Sequence, residues 1–352
     1  MGAWPDLTEY HEAVQHPPKA FADPGLKAVT LELDQFGMPK PATGGNAVVY
    51  KAKEPGFLFK KTWAIRCFLR PISDHAERYE AISKHLHKVH LPYDVNFRFL
   101  KQGIQIRSKW FPIVKMKWAD GDLLHSHIEK QLRYPASLAV LRAKWVTLVR
   151  DLEARKVAHG DLQHGNILVR GGSIHLVDYD GMWVPALKGR HATETGHRAY
   201  QHPERSERDY GQEIDRFSAL VIYVSLAALE KDASLWEEFH TGDNLIFVRE
   251  DFLHVGRSPI WQQLGRIGSA QIDQLAAAMA AMVQQPPMKV STLDSVLKNL
   301  AGFKVSTSIP ASTPKAPPAQ GVAPKPPKPP PVSTPSVPSW MKKSGYRGQS
   351  DD

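Results

Sequence analysis

The sequence predicts an α+β chain in two lobes, a small antiparallel sheet first and a mainly helical lobe after it. Three observations predict this. Short β-branched and aromatic runs, separated by turn residues, fill positions 30 to 117 with one helical stretch among them. Long runs of helical period fill 118 to 302. From 303 onward the composition turns to Pro, Ser and Lys with almost no large apolar side chain. These breaks divide the chain into an N-terminal extension (1–24), a sheet lobe (25–117), a helical lobe (118–302) and a disordered Pro/Lys-rich tail (303–352).

The strand candidates are AVTLEL, AVVYKAK, TWAIRCFL, VNFRFL, GIQIR and PIVKMKW. Between the third and fourth lies ISDHAERYEAISKHLHKV, where Tyr79, Ile82, Leu86 and Val89 recur at three- and four-residue steps. That recurrence is the apolar stripe of an amphipathic helix. ASLAVLRAKWVTLVRDLEARK, EIDRFSALVIYVSLAALEK and SAQIDQLAAAMAAMVQQ supply the helices of the second lobe. GNILVR and SIHLVDY pair as a hairpin about Gly171-Gly172. The tail cannot bury enough surface to offset its ordering entropy, so polyproline II character is expected there. Its proline run from Lys325 to Pro331, and PSWMKK with Trp340 and Met341, are the segments suited to docking a partner.

Bulk properties narrow the classes. The chain has 352 residues and a net charge of +9, a balance that favours polyanions such as nucleotide phosphates. Part of that charge sits in the tail, for which nucleic-acid binding is the lesser expectation. No apolar run approaches the roughly 20 residues of a membrane span. The opening residues lack the basic and apolar regions of a secretory signal. A lone cysteine, Cys67, fits a reducing cytoplasm and reads as a buried, inert thiol.

The chemistry concentrates in VAHGDLQHGNILV, which sets His159, Asp161, Gln163 and Asn166 between two apolar runs. Asp178 follows in LVDYDG. Asn166 and Asp178 are hard oxygen donors suited to Mg²⁺, and Asp161 can orient or deprotonate a hydroxyl. HGDLQHGN resembles the H-R-D-x-x-x-x-N catalytic loop of protein kinases, with His159, Asp161 and Asn166 in register. LVDYDG resembles D-F-G, with Asp178 at the metal position. TGHRAYQHPER resembles the end of an activation segment, with Pro203 and Glu204 as the close of A-P-E. EIDRFSAL resembles the helix whose Asp anchors the catalytic loop, which makes Asp215 that residue. Each motif alone is weak, and four in order are specific.

Over residues 25 to 302 the chain thus resembles the protein-kinase-like superfamily. The stretch from LVDYDG to HPER is similar to an atypical bacterial Ser/Thr kinase group that carries Arg at the third-strand position. The resemblance implies a bilobal kinase-like fold and transfer of the ATP γ-phosphate to protein hydroxyls, with Asp161 as base. It implies Mg²⁺, or Mn²⁺, on Asn166 and Asp178, a packing role for His159, and an ion pair between Glu204 and Lys289. As partners it implies a protein substrate, a cognate metal-dependent protein phosphatase and a von Willebrand-type domain protein.

The first lobe departs from the pattern. PATGGNAVVYKAK resembles the Gly-rich loop, where Gly44 and Gly45 would let backbone N–H groups approach phosphates, although Ala42 and Ala47 take the outer positions. Val49, Ala64, the gatekeeper Met116 and the hinge residue Trp118 would border adenine. WAIR places Arg66 at the lysine position, which keeps the charge and adds a bidentate fork. Its partner carboxylate on the helix reads as Glu77 or Glu80, and Asp180 reads as structural. Gly160 stands where an arginine would clamp a phosphorylated segment, and Gln163 where a lysine would contact the transferred phosphoryl group. These departures keep two further readings open, a nucleotide-binding pseudokinase scaffold and a small-molecule phosphotransferase related to aminoglycoside kinases. His197 and His202 lack the cysteines or HxxxH spacing of a zinc site.

Overall fold

The first lobe runs α1 (Leu7–Val14), α2 (Pro17–Ala20), α3 (Pro24–Lys27), β1 (Thr30–Leu31), β2 (Pro41–Thr43), β3 (Ala47–Lys53), β4 (Thr62–Phe68), α4 (Ser73–Val89), β5 (Arg98–Ile106) and β6 (Lys109–Lys117). The computed structural model describes residues 4–43, 47–55, 61–71, 73–93 and 96–303. The sheet is antiparallel, ordered β1-β3-β4-β6-β5 with β2 paired to β3. The tail at 304–352 and the glycines Gly44 and Gly45 lie outside the described residues.

Strand alternation gives this sheet two apolar faces. Val48, Tyr50, Ala52, Ile65, Cys67 and Ile113 share one core with Tyr10, Val14, Phe21 and Leu26 of the N-terminal segment. Val49, Ala64, Phe68, Val114 and Met116 share the other with Tyr79, Ile82 and Leu86 of α4. Residues read as an N-terminal extension are therefore a layer of the lobe. Tyr10 donates to the Phe68 carbonyl at 2.9 Å, and the Lys115–Asp23 ion pair at 2.7 Å pins α3 to β6. A reciprocal cap starts α1, with Asp6 accepting the Glu9 N–H and Glu9 accepting the Asp6 N–H. VNFRFL and GIQIR merge into the single strand β5, whose register shifts between Leu100 and Ile104. There a Cβ on Gly103 would stand 2.2 Å from Ile113, so only glycine lets the strands approach. Cys67 is free and buried, and burial pushes its thiol above the ordinary range.

The second lobe continues with β7 (Asp122–Leu123), α5 (Leu124–Gln131), α6 (Pro135–Ala154), β8 (Ile167–Arg170), β9 (Ser173–Leu176), α7 (Arg216–Lys231), α8 (Ser234–Phe239), α9 (Arg249–Leu253), α10 (Pro259–Arg266), α11 (Ala270–Val283) and α12 (Leu293–Lys298). Helix α7 is buried without a break from Phe217 to Leu229, the mark of a helix at the centre of a lobe. Helix α6 lays Leu138, Leu141, Trp145, Leu148 and Leu152 into the core, and Trp145 donates to the Ala219 carbonyl at 3.0 Å. In the β8–β9 hairpin both Gly171 and Gly172 have positive φ, 53° and 73°, which the tight twisted turn requires. Among the described residues no helix is long and apolar enough to cross a membrane.

Candidate active site

The loop between α6 and β8 is held from below by one carboxylate. Asp215, in the 3₁₀ turn that opens α7, accepts the backbone N–H groups of His159 and Gly160, the latter at 2.8 Å. Burial raises the proton affinity of Asp215, and those N–H groups oppose the rise. The His159 ring is fully buried, with Nε2 3.0 Å from the Val177 carbonyl and its ring packed beside Tyr179. Asn166 donates from Nδ2 to Asp161 Oδ2 at 2.8 Å and to the Asp161 carbonyl at 3.0 Å. The other Asp161 oxygen accepts the His197 N–H at 2.7 Å. Gln163 turns inward, its side-chain oxygen accepting the Gly165 N–H at 3.0 Å. Gly160 has φ +84°, and a Cβ there would stand 2.1 Å from the Gly181 carbonyl oxygen. No arginine fits at that position.

Asp178 leaves β9 in the left-handed region, φ 65°, a conformation that non-glycine residues adopt chiefly under local constraint. Its pKa is pushed up to about 7, first by burial, then by the charge of Asp180, with Arg66 opposing. Asp161 also raises it, so the two carboxylates lie within electrostatic range of each other. Glu194 brings a further carboxylate, held up at about 8 by desolvation first and then by Asp178 and Asp161.

The partner of Arg66 corrects the sequence reading. Arg66 projects from β4 on the face of Ala64 and grips Asp180 with both fork nitrogens, Nη1 to Oδ1 and Nη2 to Oδ2, each at 2.6 Å. Tyr79 of α4 donates to the same Oδ1 at 2.9 Å. Burial works against the Arg66 charge, yet Asp180 and its neighbours hold the guanidinium above its ordinary range. Glu77 instead meets Arg190 at 2.6 Å, and Glu80 meets Lys84 and Lys101 at 2.8 and 2.6 Å. Hydrogen bonds to Lys101 and Lys84 bring Glu80 down to about 2. The acid expected on the helix is supplied by the D-Y-D turn, and α4 offers a phenol in its place. The doubled aspartate of that turn, beside an Arg with two rival partners, was the available signal.

Around the hinge, Ala64 pairs with Met116 across β4 and β6, and Val49 pairs with Arg66. Trp118 donates its N–H to the Thr62 carbonyl at 2.7 Å, with Lys51 over its ring at 4.6 Å. Val49 and Trp118 line a cavity of about 40 Å³ with Ala42 and Lys51.

Glu204 and Lys289 are both exposed, and among the described residues no ion pair joins them. The neighbouring Arg205 turns inward instead, donating to the Gly160 carbonyl at 2.9 Å and to Gln201 Oε1. Glu204→Ala and Lys289→Ala should therefore each change stability by no more than ~0.5 kcal/mol in urea unfolding.

Imidazoles cluster behind the loop. His125 lies 4.8 Å from His164 and 6.2 Å from His240, ring to ring. Burial first, then His240, lowers His125 to about 4. An unfolded imidazole titrates near ~6.5, so the folded state favours the neutral ring. That stabilisation is complete above about pH 6.5 and fades as pH falls toward 4. The urea midpoint should drop between pH 7 and pH 5, and drop less in His125→Asn. Among the described residues no group of three or more His, Cys, Asp or Glu is arranged to hold a metal ion.

Two known proteins are similar to parts of this chain. Calcium-dependent protein kinase 9 of rice (Oryza sativa subsp. japonica) is 30% identical over 169 residues, 46% of this chain and 28% of that protein. The matched part thus spans little more than a quarter of the relative's length. The granulovirus kinase PK-1 of Cydia pomonella granulovirus superposes with a TM-score of 0.49 at 16% identity, over 78% of this chain and 94% of that one. No family model matches the chain. The described residues form an antiparallel-sheet lobe, a helical lobe and the loop between them.

Proposed function

We propose that the chain is an ATP-dependent protein kinase that transfers the γ-phosphate to Ser or Thr hydroxyls. One observation carries the reading: a backbone loop clamped by Asp215 presents the hydrogen-bonded Asp161–Asn166 pair within electrostatic range of half-buried Asp178. Phosphoryl transfer demands positioning and charge neutralisation far more than covalent chemistry, and this arrangement supplies both. A divalent cation fits the donor set. Asn166 and Asp178 offer hard oxygens, and a cation would offset both the desolvation that chiefly raises Asp178 and the repulsion from neighbouring carboxylates that adds to it. These two residues would hold Mg²⁺ or Mn²⁺, which when bound neutralises the phosphates of ATP. A protein supplies one or two ligands to such an ion, and phosphate and water complete the shell.

Asp161 orients the acceptor hydroxyl and takes its proton, and its own geometry is set from both sides by Asn166 and the His197 N–H. Arg66 adds positive charge beside the metal residues while Asp180 keeps its fork in place. A cytoplasmic location, a cognate metal-dependent phosphatase and a von Willebrand-type partner belong to the same proposal. A second reading, the pseudokinase, draws on the commitment of both Arg66 fork nitrogens to Asp180.

Incubation of the full chain with γ-labelled ATP and Mg²⁺, with mixed proteins or with small hydroxylated metabolites as acceptors, separates the readings. Label is expected on phosphoserine or phosphothreonine after acid hydrolysis. Label on metabolites alone would establish a small-molecule phosphotransferase, and ATP binding without any transfer would establish the pseudokinase.

A further inference from the structure

Beside the base, the segment that follows Glu194 encloses a polar cavity of about 230 Å³ lined by Thr195, Gly196, Arg198, Gln201, Arg205 and Arg249, among others. It abuts the reacting centre. A Cβ placed on Gly196 would stand 2.9 Å from Asp161 Oδ1 and 2.8 Å from Gln201 Nε2. Among the described residues no carboxylate lines this cavity. Among the described residues none of its three arginines forms an ion pair.

The donors are in surplus. Arg205 uses Nη1 on Gly160 and Gln201, while its Nε and Nη2 are buried without an acceptor. Gln201 Nε2 is likewise buried and unmatched. Arg249 places Nη2 on the Pro203 carbonyl at 2.9 Å, and a guanidinium has further donors to offer. The carboxylates of Asp215, Asp161, Glu194 and Asp209 act on Arg205 without forming an ion pair with it among the described residues. A buried donor left without an acceptor is costly, and a charge-assisted bond to an anion is the strong remedy. A chain advances about 3.3–3.6 Å per residue, so a side chain roughly one or two positions from a hydroxyl at Asp161 reaches the cavity.

Resting on the kinase reading above, we propose that this cavity is a substrate subsite for an anionic side chain (Asp, Glu or a phosphorylated residue) flanking the acceptor hydroxyl. A neutral residue there leaves the donors unmatched. A lysine or arginine meets like charge and is rejected, so the cavity selects in both directions.

Fluorescent peptides in which the acceptor Ser is replaced by Ala, with Glu, Gln or Lys flanking it, test this by anisotropy with the full chain. No transfer is possible in these peptides, so binding is read apart from catalysis. The Glu peptide should bind about tenfold more tightly than the Gln peptide. In R198Q/R249Q that ratio should fall by about threefold, with Arg205 and Gln201 keeping the remainder. Arg205 is left in place because it supports Gly160, and thermal melts check that the double variant folds, with R198Q alone as the fallback. Equal affinities in the wild type, or a Glu preference undiminished in the double variant, would overturn the proposal. A preference that emerges only after phosphatase treatment would put the chain's own phosphorylated Thr195 in the cavity and overturn the substrate assignment. Ser-containing versions of the peptides separate the two proposals. Acid-selective binding without transfer contradicts the kinase reading alone, and transfer without acid selectivity contradicts the subsite alone.

Discussion

Asp180→Asn should lower stability by about 2–3 kcal/mol, which in a chain of this size shifts the melting temperature by roughly 4–12 °C. The change removes the charge that compensates Arg66 and leaves a largely enclosed guanidinium facing an amide. Fully enclosed pairs lose about 3–5 kcal/mol when broken. The lower figure applies because the Asp180 side chain keeps 30% of its exposure and Arg66 keeps 16%. The same substitution should reduce phosphoryl transfer further than the loss of folded protein accounts for, because Arg66 would lose its fixed orientation. Glu77→Gln and Glu80→Gln should leave both quantities near wild type, since their partners lie on the surface. Thermal melts and initial rates on the three variants, side by side, check this. If Glu77→Gln or Glu80→Gln proved the damaging change, the carboxylate assignment would be wrong.

Gly160→Arg is expected to be worse than inactive. Restoring the arginine that resembling catalytic loops carry forces a Cβ to within 2.1 Å of the Gly181 carbonyl oxygen at a backbone φ of +84°. The left-handed strain adds about 1–2 kcal/mol and the overpacking about 1–3 kcal/mol, so a large share of a stability of roughly 5–15 kcal/mol is lost. Gly160→Ala isolates the backbone part of that effect, and soluble yield with a urea midpoint for both variants measures it. A Gly160→Arg protein that folds with wild-type stability would show that the loop can open away from Gly181.

What could be read beforehand follows from how local each cue is. Asp161, Asn166, Asp178 and Asp215 lie in short motifs whose spacing is carried by neighbouring residues, and the structure brings the first three together over the fourth. Helix α7 was legible because thirteen successive positions from Phe217 to Leu229 are buried, which leaves an apolar run interrupted only by Ser218 and Ser225. The Arg66–Asp180 pair was not, because its members lie 114 residues apart and only folding decides between rival acids. The N-terminal helices escaped for a related reason. Segments of four to eight residues are too short for periodicity to separate from a loop, and they are ordered by the sheet face they cover. The expected Glu204–Lys289 pair came from motif alignment alone, and in the fold Glu204 is exposed while Arg205 takes the inward position beside it.

The most direct test of the account is a single-turnover measurement of γ-phosphoryl transfer from Mg²⁺-ATP by the full chain and by Asp161→Asn. The expected result is a rate lower by about 10²- to 10⁴-fold in the variant with ATP affinity retained. Equal rates in the two proteins would contradict the assignment of Asp161 as the base and, with it, the kinase reading of this site.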